Sequence, residues 1–185
     1  MTKTLVVAQY KEKLEWLSKF PDWEHHVIRK NSKSEFLDGE FMPNVGRETF
    51  TFIRYIIRNY DNLDGIYAFV QGNPYEHCVD FDKIVNIPFR GYALIGDTPT
   101  ACFDNGIPHH AGLPIGSFYK QLFGFNQQVI GFIQGGQWMA TSEHIKSISI
   151  ENWLLMSDLH KDSRAPWVFE RLWPAILTGK MFKND

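Results

Sequence analysis

The stretch Pro43-Asn44-Val45-Gly46-Arg47-Glu48-Thr49 sets a cation and a carboxylate side by side at the head of an apolar-periodic run. A helix that begins here offers free backbone N–H groups and a positive dipole end, where phosphates bind. Gly46 permits close approach, and Arg47 adds a planar fork of donors that suits a diphosphate. Glu48, in the first turn, favours the dipole and has oxygens for a metal or a sugar hydroxyl. Asn44, Gly46, Arg47 and Glu48 are therefore candidate ligands of a phosphate or diphosphate group. The same residues also make an ordinary capped helix whose Arg47–Glu48 pair links to its neighbours. Burying these charges without partners would cost on the order of several kcal/mol.

Three further segments carry groups of interest. In "FVQGNPYEH", a strand-like run ends in Gln71, Gly72 and Asn73, with His77 close behind. Side-chain amides donate and accept together, which suits hydroxyl-rich ligands, although Gly, Asn and Pro are also ordinary turn residues. Asp80 and Asp82 follow at an i, i+2 spacing; they can share a divalent cation through oxygen ligands or lie on a solvated surface. In "QGGQWMATSEHI", Gln137 and the ring of Trp138 can face a sugar, though a core tryptophan is the commoner case. In "FERLW", Glu170 lies among Trp167, Phe169 and Trp173. Desolvation there would raise its pKa toward a general-base range, and an internal ion pair with an arginine is the alternative. There is no GxxxxGK[ST] loop, no strand–GxGxxG–helix, no GxSxG elbow and no HExxH. The pairs His25-His26 and His109-His110 would point to opposite faces of a strand, and no ligand set has zinc spacing.

These groups act together only if the fold gathers them. Residues 4–8 read as a buried strand. Residues 12–20 carry Leu14, Leu17 and Phe20 at helical spacing, stopped by Pro21. Residues 26–29 read as a second strand and 31–42 as a polar loop. Residues 48–60 set Phe52, Ile53, Ile56, Ile57 and Tyr60 on one helical face, and 66–70 form another buried strand. This β-α-β-α-β order predicts an open α/β sheet, which binds ligands beyond the carboxyl ends of its strands. "QGNPYEH" lies at such an end, and the loop before the helix at residue 48 feeds the same region, so the two are expected to meet. Residues 74–115 hold five of the nine prolines and read as irregular. Residues 128–140 read as strand, Gly-Gly turn, strand. Thr141 or Ser142 caps a short helix, and 152–159 and 167–177 read as helices, the last kinked or broken at Pro174.

The chain has 185 residues, which fits one domain over 1–185. Its charged fraction, 22%, is that of an ordinary globular protein, and the 15% of aromatic residues must fill a core and line at most a few sites. A net charge of -2 gives no bulk basic field for nucleic acid. Two cysteines, Cys78 and Cys102, make no disulfide framework. No secretory segment precedes residue 5 and no apolar run approaches the roughly 18 residues of a membrane span, so a cytoplasmic location is expected.

Four segments in one order carry a resemblance: "VVAQYKEKLEWL"; "PNVGRETFTFIRYIIRNYDNL" running into "YAFVQGNPYEH"; "GGQWMATSEHI"; and "FERLWPAI". The chain resembles an uncharacterised family, known mainly from fungal and bacterial genomes, that looks like a reduced glycosyltransferase of the A-type fold. The likeness covers most of the chain except residues 80–125. A related Asn-x-Gly-Arg-Asp signature occurs in rhamnan-synthesis-type proteins. The resemblance implies a single α/β domain with a central mixed, mainly parallel sheet flanked by helices. It also implies a nucleotide-sugar donor and a hydroxyl acceptor, a glycan or a hydroxylated DNA base. Asn44, Gly46, Arg47, Glu48, Gln71, Gly72, Asn73, Gln137 and Trp138 would bind the donor and acceptor, with Glu170 and His77 as catalytic groups. In A-type enzymes the strand at Phe69-Val70 ends in Asp-x-Asp, which holds Mn²⁺ or Mg²⁺ on the diphosphate. Here Gln71-Gly72-Asn73 takes that place, leaving Arg47 to supply positive charge and Asp80 or Asp82 to recruit a cation. A non-catalytic carbohydrate- or nucleotide-binding module on the same fold is the alternative.

Overall fold

Alternation along the first strand sends Leu5 and Val7 to one side and Val6 and Ala8 to the other, and all four are buried. A strand apolar on both faces belongs at the centre of a sheet covered on both sides. The computed structural model describes residues 1–32 and 39–178 and has this arrangement. Strands β1 (Lys3–Gln9), β2 (Glu24–Arg29), β3 (Glu40–Phe41), β4 (Ile66–Gln71), β5 (Tyr92–Ile95) and β8 (Gln137–Thr141) form one sheet in the order β3-β2-β1-β4-β8-β5. β1, β2, β3 and β4 run parallel, and β8 lies antiparallel between β4 and β5. Strands β6 (Pro99–Phe103) and β7 (Val129–Ile133) pair separately as an antiparallel ribbon against the last helix. The protein is thus α/β, with a mixed six-stranded sheet flanked by helices.

On one face, Val6, Ile28, Phe69 and Trp138 pack against α1 (Arg47–Asn59), α3 (Ile115–Phe123), α5 (Ile150–Leu159) and α6 (Ala165–Leu177). On the other, Leu5, Val7, Val70 and Met139 meet Trp16, Leu17, Phe20 and Phe81 of shorter elements, the last from α2 (Phe81–Ile84). Each face buries its own cluster, and that burial, worth about 25 cal/mol per Å² of apolar surface, sandwiches the sheet.

Several expectations change. Residues 12–20 form only a one-turn 3-10 helix, Glu15–Lys19. The Glu12 carboxylate accepts the Tyr10 and Lys11 N–H groups, and the Trp16 indole donates to the Gly72 carbonyl, so the segment is tied into a tight turn. The stretch 74–115 contains α2, β5 and β6 and is not wholly irregular. The strand, Gly-Gly turn and strand read over 128–140 are present, and the two strands go to different partners: β7 joins β6, and β8 enters the main sheet. Helix α6 continues through Pro174 to Leu177. Thr141 caps α4 (Ser142–Ser147), accepting the His144 N–H at 3.2 Å. The loop expected over 31–42 falls partly outside the described residues; within them, Glu40–Phe41 form β3.

Trp138 corrects a second expectation. It is fully buried, 4.2 Å from the Phe69 ring and 5.1 Å from Trp173 between centroids, and offers no face to a sugar. Trp138→Ala should therefore lower stability by about 3–5 kcal/mol in guanidinium unfolding. Trp167→Ala, at a half-buried position, should lower it less.

Candidate functional site

α1 begins abruptly. Gly46 has φ 66° and Arg47 φ 51°, two successive left-handed residues that turn the chain into the helix. Such a conformation in a residue other than glycine is strained and clusters at functional sites. A Cβ at Gly46 would fall 2.5 Å from Phe50 Cβ and 2.9 Å from His160 Cδ2, so glycine is required here by the protein's own packing, not by a ligand.

The turn sets Arg47 and Glu48 at the rim of a cleft of about 200 Å³ beyond the carboxyl end of β4. Gln71 and His77 line it from the β4 side; His110, Gly135, Pro166, Trp167 and Glu170 complete it. The Arg47 side chain is 56% exposed. Its guanidinium lies 5.4 Å from the Trp167 ring centroid, a cation–π contact, and its Nε is 3.9 Å from Glu48 Oε2, too far for a hydrogen bond. Arg47 is thus held over the cleft by the Trp167 ring and a long ion pair with Glu48, with its side chain still largely exposed.

Burial pushes the Glu48 carboxyl above the ordinary carboxylate range, and nearby Glu170 adds to this. A hydrogen bond to its own backbone N–H and the charges of Arg47 and Lys30 pull the other way. Glu48 thus takes up part of the helix terminus itself, and Arg47 is the exposed cation of this rim.

Glu170 Oε1 accepts the Gly135 N–H at 2.9 Å, and Oε2 accepts Arg171 Nη1 at 3.0 Å. Gly135 has φ 98°, and a Cβ there would strike His77 at 2.6 Å, so only glycine brings this backbone between His77 and Glu170. Arg171, 3% exposed, also donates to the Trp167 carbonyl at 2.6 Å and to His110 Nδ1 at 3.2 Å.

A polar layer supports the α1 turn. Lys30 donates to the Val45 carbonyl at 3.2 Å, and burial lowers its pKa to about 8. His160 Nδ1–H donates to the Met156 carbonyl at 2.8 Å, so its Nε2 accepts from the Thr49 hydroxyl at 2.9 Å. Burial, with a further push from Lys30, lowers the His160 pKa to about 4, and its ring stacks on Phe169 at 4.5 Å.

Arg47, Glu48, Gln71, His77 and Glu170 are therefore brought together. Other candidates are not. Gln137 is buried; its Oε1 accepts the Gln71 N–H and its Nε2 donates to the Pro74 carbonyl, both at 3.2 Å, so its polar atoms are spent on the fold. Gly72 packs against Glu12, and Asn44 and Asn73 are exposed and do not line the cleft. Asp80 pairs with Lys83 at 2.8 Å, whereas Asp82 bonds Tyr75 and, at 3.2 Å, Lys19. The two carboxylates have separate partners outside the cleft and do not fit a shared cation. Among the described residues no group of three or more His, Cys, Asp or Glu side chains is placed to hold a metal. Nor is any helix among them long and apolar enough to cross a membrane.

His110, Trp167, Arg171, Lys30 and His160 were not singled out as site residues from the sequence. His109 and His110 lie in a turn and not on a strand, and their rings diverge there: His109 Nε2 meets Thr100 Oγ1 at 2.9 Å, and His110 turns to Arg171. Opposed orientation, which argued against a joint metal site, leaves one of the pair free to line a cleft.

The fold and site define an α/β protein with a charged, partly aromatic cleft at the strand ends. Over residues 5–86 the chain is similar to a family described as a protein of unknown function (DUF3431). No curated protein and no solved structure matches it. The matched stretch carries Arg47, Glu48, Gln71 and His77; His110, Trp167 and Glu170 lie beyond it.

The His160 environment has a pH consequence. Its pKa in the folded chain, about 4, lies below the ordinary 6.5, so the unfolded chain binds more protons between these values. The stabilisation is fully present above pH 6.5 and is lost as pH falls toward 4, by roughly 3 kcal/mol. Lys30 acts in a separate alkaline window, from about 8 upward. Unfolding curves between pH 7 and 4 should show this slope, and His160→Asn should flatten it.

Proposed function

We propose that the protein is a glycosyltransferase that moves a sugar from a nucleoside-diphosphate sugar to a hydroxyl acceptor. The observation that carries this reading is the exposed guanidinium of Arg47 over the Trp167 ring, in one cleft with the carboxyl groups of Glu48 and Glu170. The mixed, mainly parallel sheet agrees with the A-type fold that the sequence resembles, and the cleft lies where such sheets bind ligands.

Transfer leaves a nucleoside diphosphate, and stabilising the charge that builds on it lowers the barrier. Arg47 does this with donors that need no proton transfer. The acceptor hydroxyl must lose a proton as it attacks. Glu48, with its raised pKa, is a better proton acceptor than an ordinary exposed carboxylate and sits beside Arg47. Glu170, tethered by Gly135 and Arg171, orients a hydroxyl. Gln71 and His77 flank the donor. The bond from the anomeric carbon to the diphosphate oxygen breaks as the bond to the acceptor oxygen forms, and the proton passes to Glu48.

A second reading, a non-catalytic sugar- or nucleotide-binding module, is favoured by one observation. The strand end that carries Asp-x-Asp in A-type enzymes has Gln71-Gly72-Asn73, and Gly72 and Asn73 stand outside the cleft. It predicts binding without release of nucleoside diphosphate.

Calorimetry with UDP, GDP and their glucose conjugates tests the first reading. Arg47→Ala should weaken binding by about tenfold or more, the worth of a charge-assisted hydrogen bond. Glu48→Gln should leave binding within a few-fold and reduce release of nucleoside diphosphate by about 10²-fold or more. Equal binding by Arg47→Ala would overturn the anion role, and unchanged turnover in Glu48→Gln would remove the proposed base.

A further inference from the structure

Arg171 joins two side chains of the cleft wall, and its chemistry fixes what they can offer. A guanidinium donates hydrogen bonds and accepts none. Its contact with His110 at 3.2 Å therefore requires a lone pair on His110 Nδ1. The ring proton then sits on Nε2. His110 is exposed and lines the cleft, so Nε2–H is its outward donor. The same guanidinium holds Glu170 Oε2 at 3.0 Å, and Gly135 N–H holds Oε1 at 2.9 Å. Each carboxylate oxygen keeps a further acceptor site. One buried cation, stacked 4.9 Å from the Phe132 ring centroid, thus holds a donor and an acceptor on the same wall. Trp167 adjoins them, its ring 5.9 Å from that of His110.

We infer that His110 and Glu170, positioned by Arg171, form a subsite that reads a neutral hydroxyl on a sugar ring. A hydroxyl can donate to Glu170 and accept from His110 at once, with the indole of Trp167 beside them and Arg47 over that ring. An ammonium group has no lone pair for Nε2–H, and a phosphate is repelled by Glu170. Arg171 is a positioning residue, acting only through its two neighbours. The assignment of this subsite to a transferred sugar or its acceptor rests on the reading above, with Arg47 at the anion end of the same cleft. The tautomer and the preference for a hydroxyl do not depend on it.

Long-range ¹H–¹⁵N spectra of the labelled full-length chain at neutral pH test the proposal, with the His110 signals assigned by their loss in His110→Gln. We expect a protonated Nε2 and an unprotonated Nδ1. We expect the Nε2 signal to move on titration with at least one of the methyl glycosides of glucose, galactose and mannose, and to stay in place with methylammonium or inorganic phosphate. His110→Ala should weaken that glycoside by about tenfold, the worth of a well-formed hydrogen bond, and His110→Gln, which restores an N–H near the Nε2 position, should recover most of it. Arg171→Lys should mix the tautomers; if it does not fold, the two His110 variants still decide. A proton on Nδ1, no response to any of the three glycosides, or equal glycoside binding by His110→Ala would overturn the subsite. Failure of nucleoside diphosphates to bind, with these results intact, would instead remove the transferase reading and leave a hydroxyl-binding cleft.

Discussion

The cleft depends on the way Gln137 bridges the end of β4 to the start of β8. Its amide oxygen takes the Gln71 N–H and its amide nitrogen reaches the Pro74 carbonyl. A buried amide with both ends satisfied is rigid, and losing either partner leaves a desolvated polar group. Because β8 is antiparallel to β4, its first residue stands at the same edge of the sheet as the last residue of β4. Gly135 therefore arrives beside His77, and its N–H reaches Glu170 on α6.

Charge is distributed in two layers around this edge. Arg47 and Glu48 sit at the rim, while Lys30, His160 and Arg171 lie buried behind. The buried groups meet their desolvation cost in different ways. Arg171 is paired with Glu170, the Trp167 carbonyl and a π face; burial drives His160, and to a lesser degree Lys30, toward neutral forms. The left-handed turn at Gly46 and Arg47 is braced by this second layer, which is how a strained backbone persists at the head of α1.

Local periodicity made part of the molecule legible. The short unbroken apolar runs of β1 and β4 and the apolar stripe of α1 are properties of contiguous residues, so these elements, and the meeting of "NVGRE" with "QGNPYEH", follow from the sequence. Partner choice between distant strands does not. Nothing in "QVIGFIQGGQWMA" reveals that its two strands join different sheets, since a Gly-Gly step between apolar runs looks like a hairpin. The two tryptophans show the same limit. Trp138 follows the polar Gln137 and Trp167 stands between Pro166 and Val168, yet Trp138 lies between Phe69 and Trp173 while Trp167, in the first turn of α6, faces the cleft. The Gln137 amide suits a hydroxyl-rich ligand, and no local feature shows that the fold uses both of its ends. The place of His110 at the cleft comes from Arg171, 61 residues away, which no local pattern reveals.

The two walls of the cleft come from separate lengths of chain. Arg47, Glu48, Gln71 and His77 lie within the first half, and His110, Trp167 and Glu170 within the second. Evolution can therefore remodel the second wall while the first is left untouched. Descendants of one ancestor can keep the charged rim of Arg47 and Glu48 and diverge in the groups that face it.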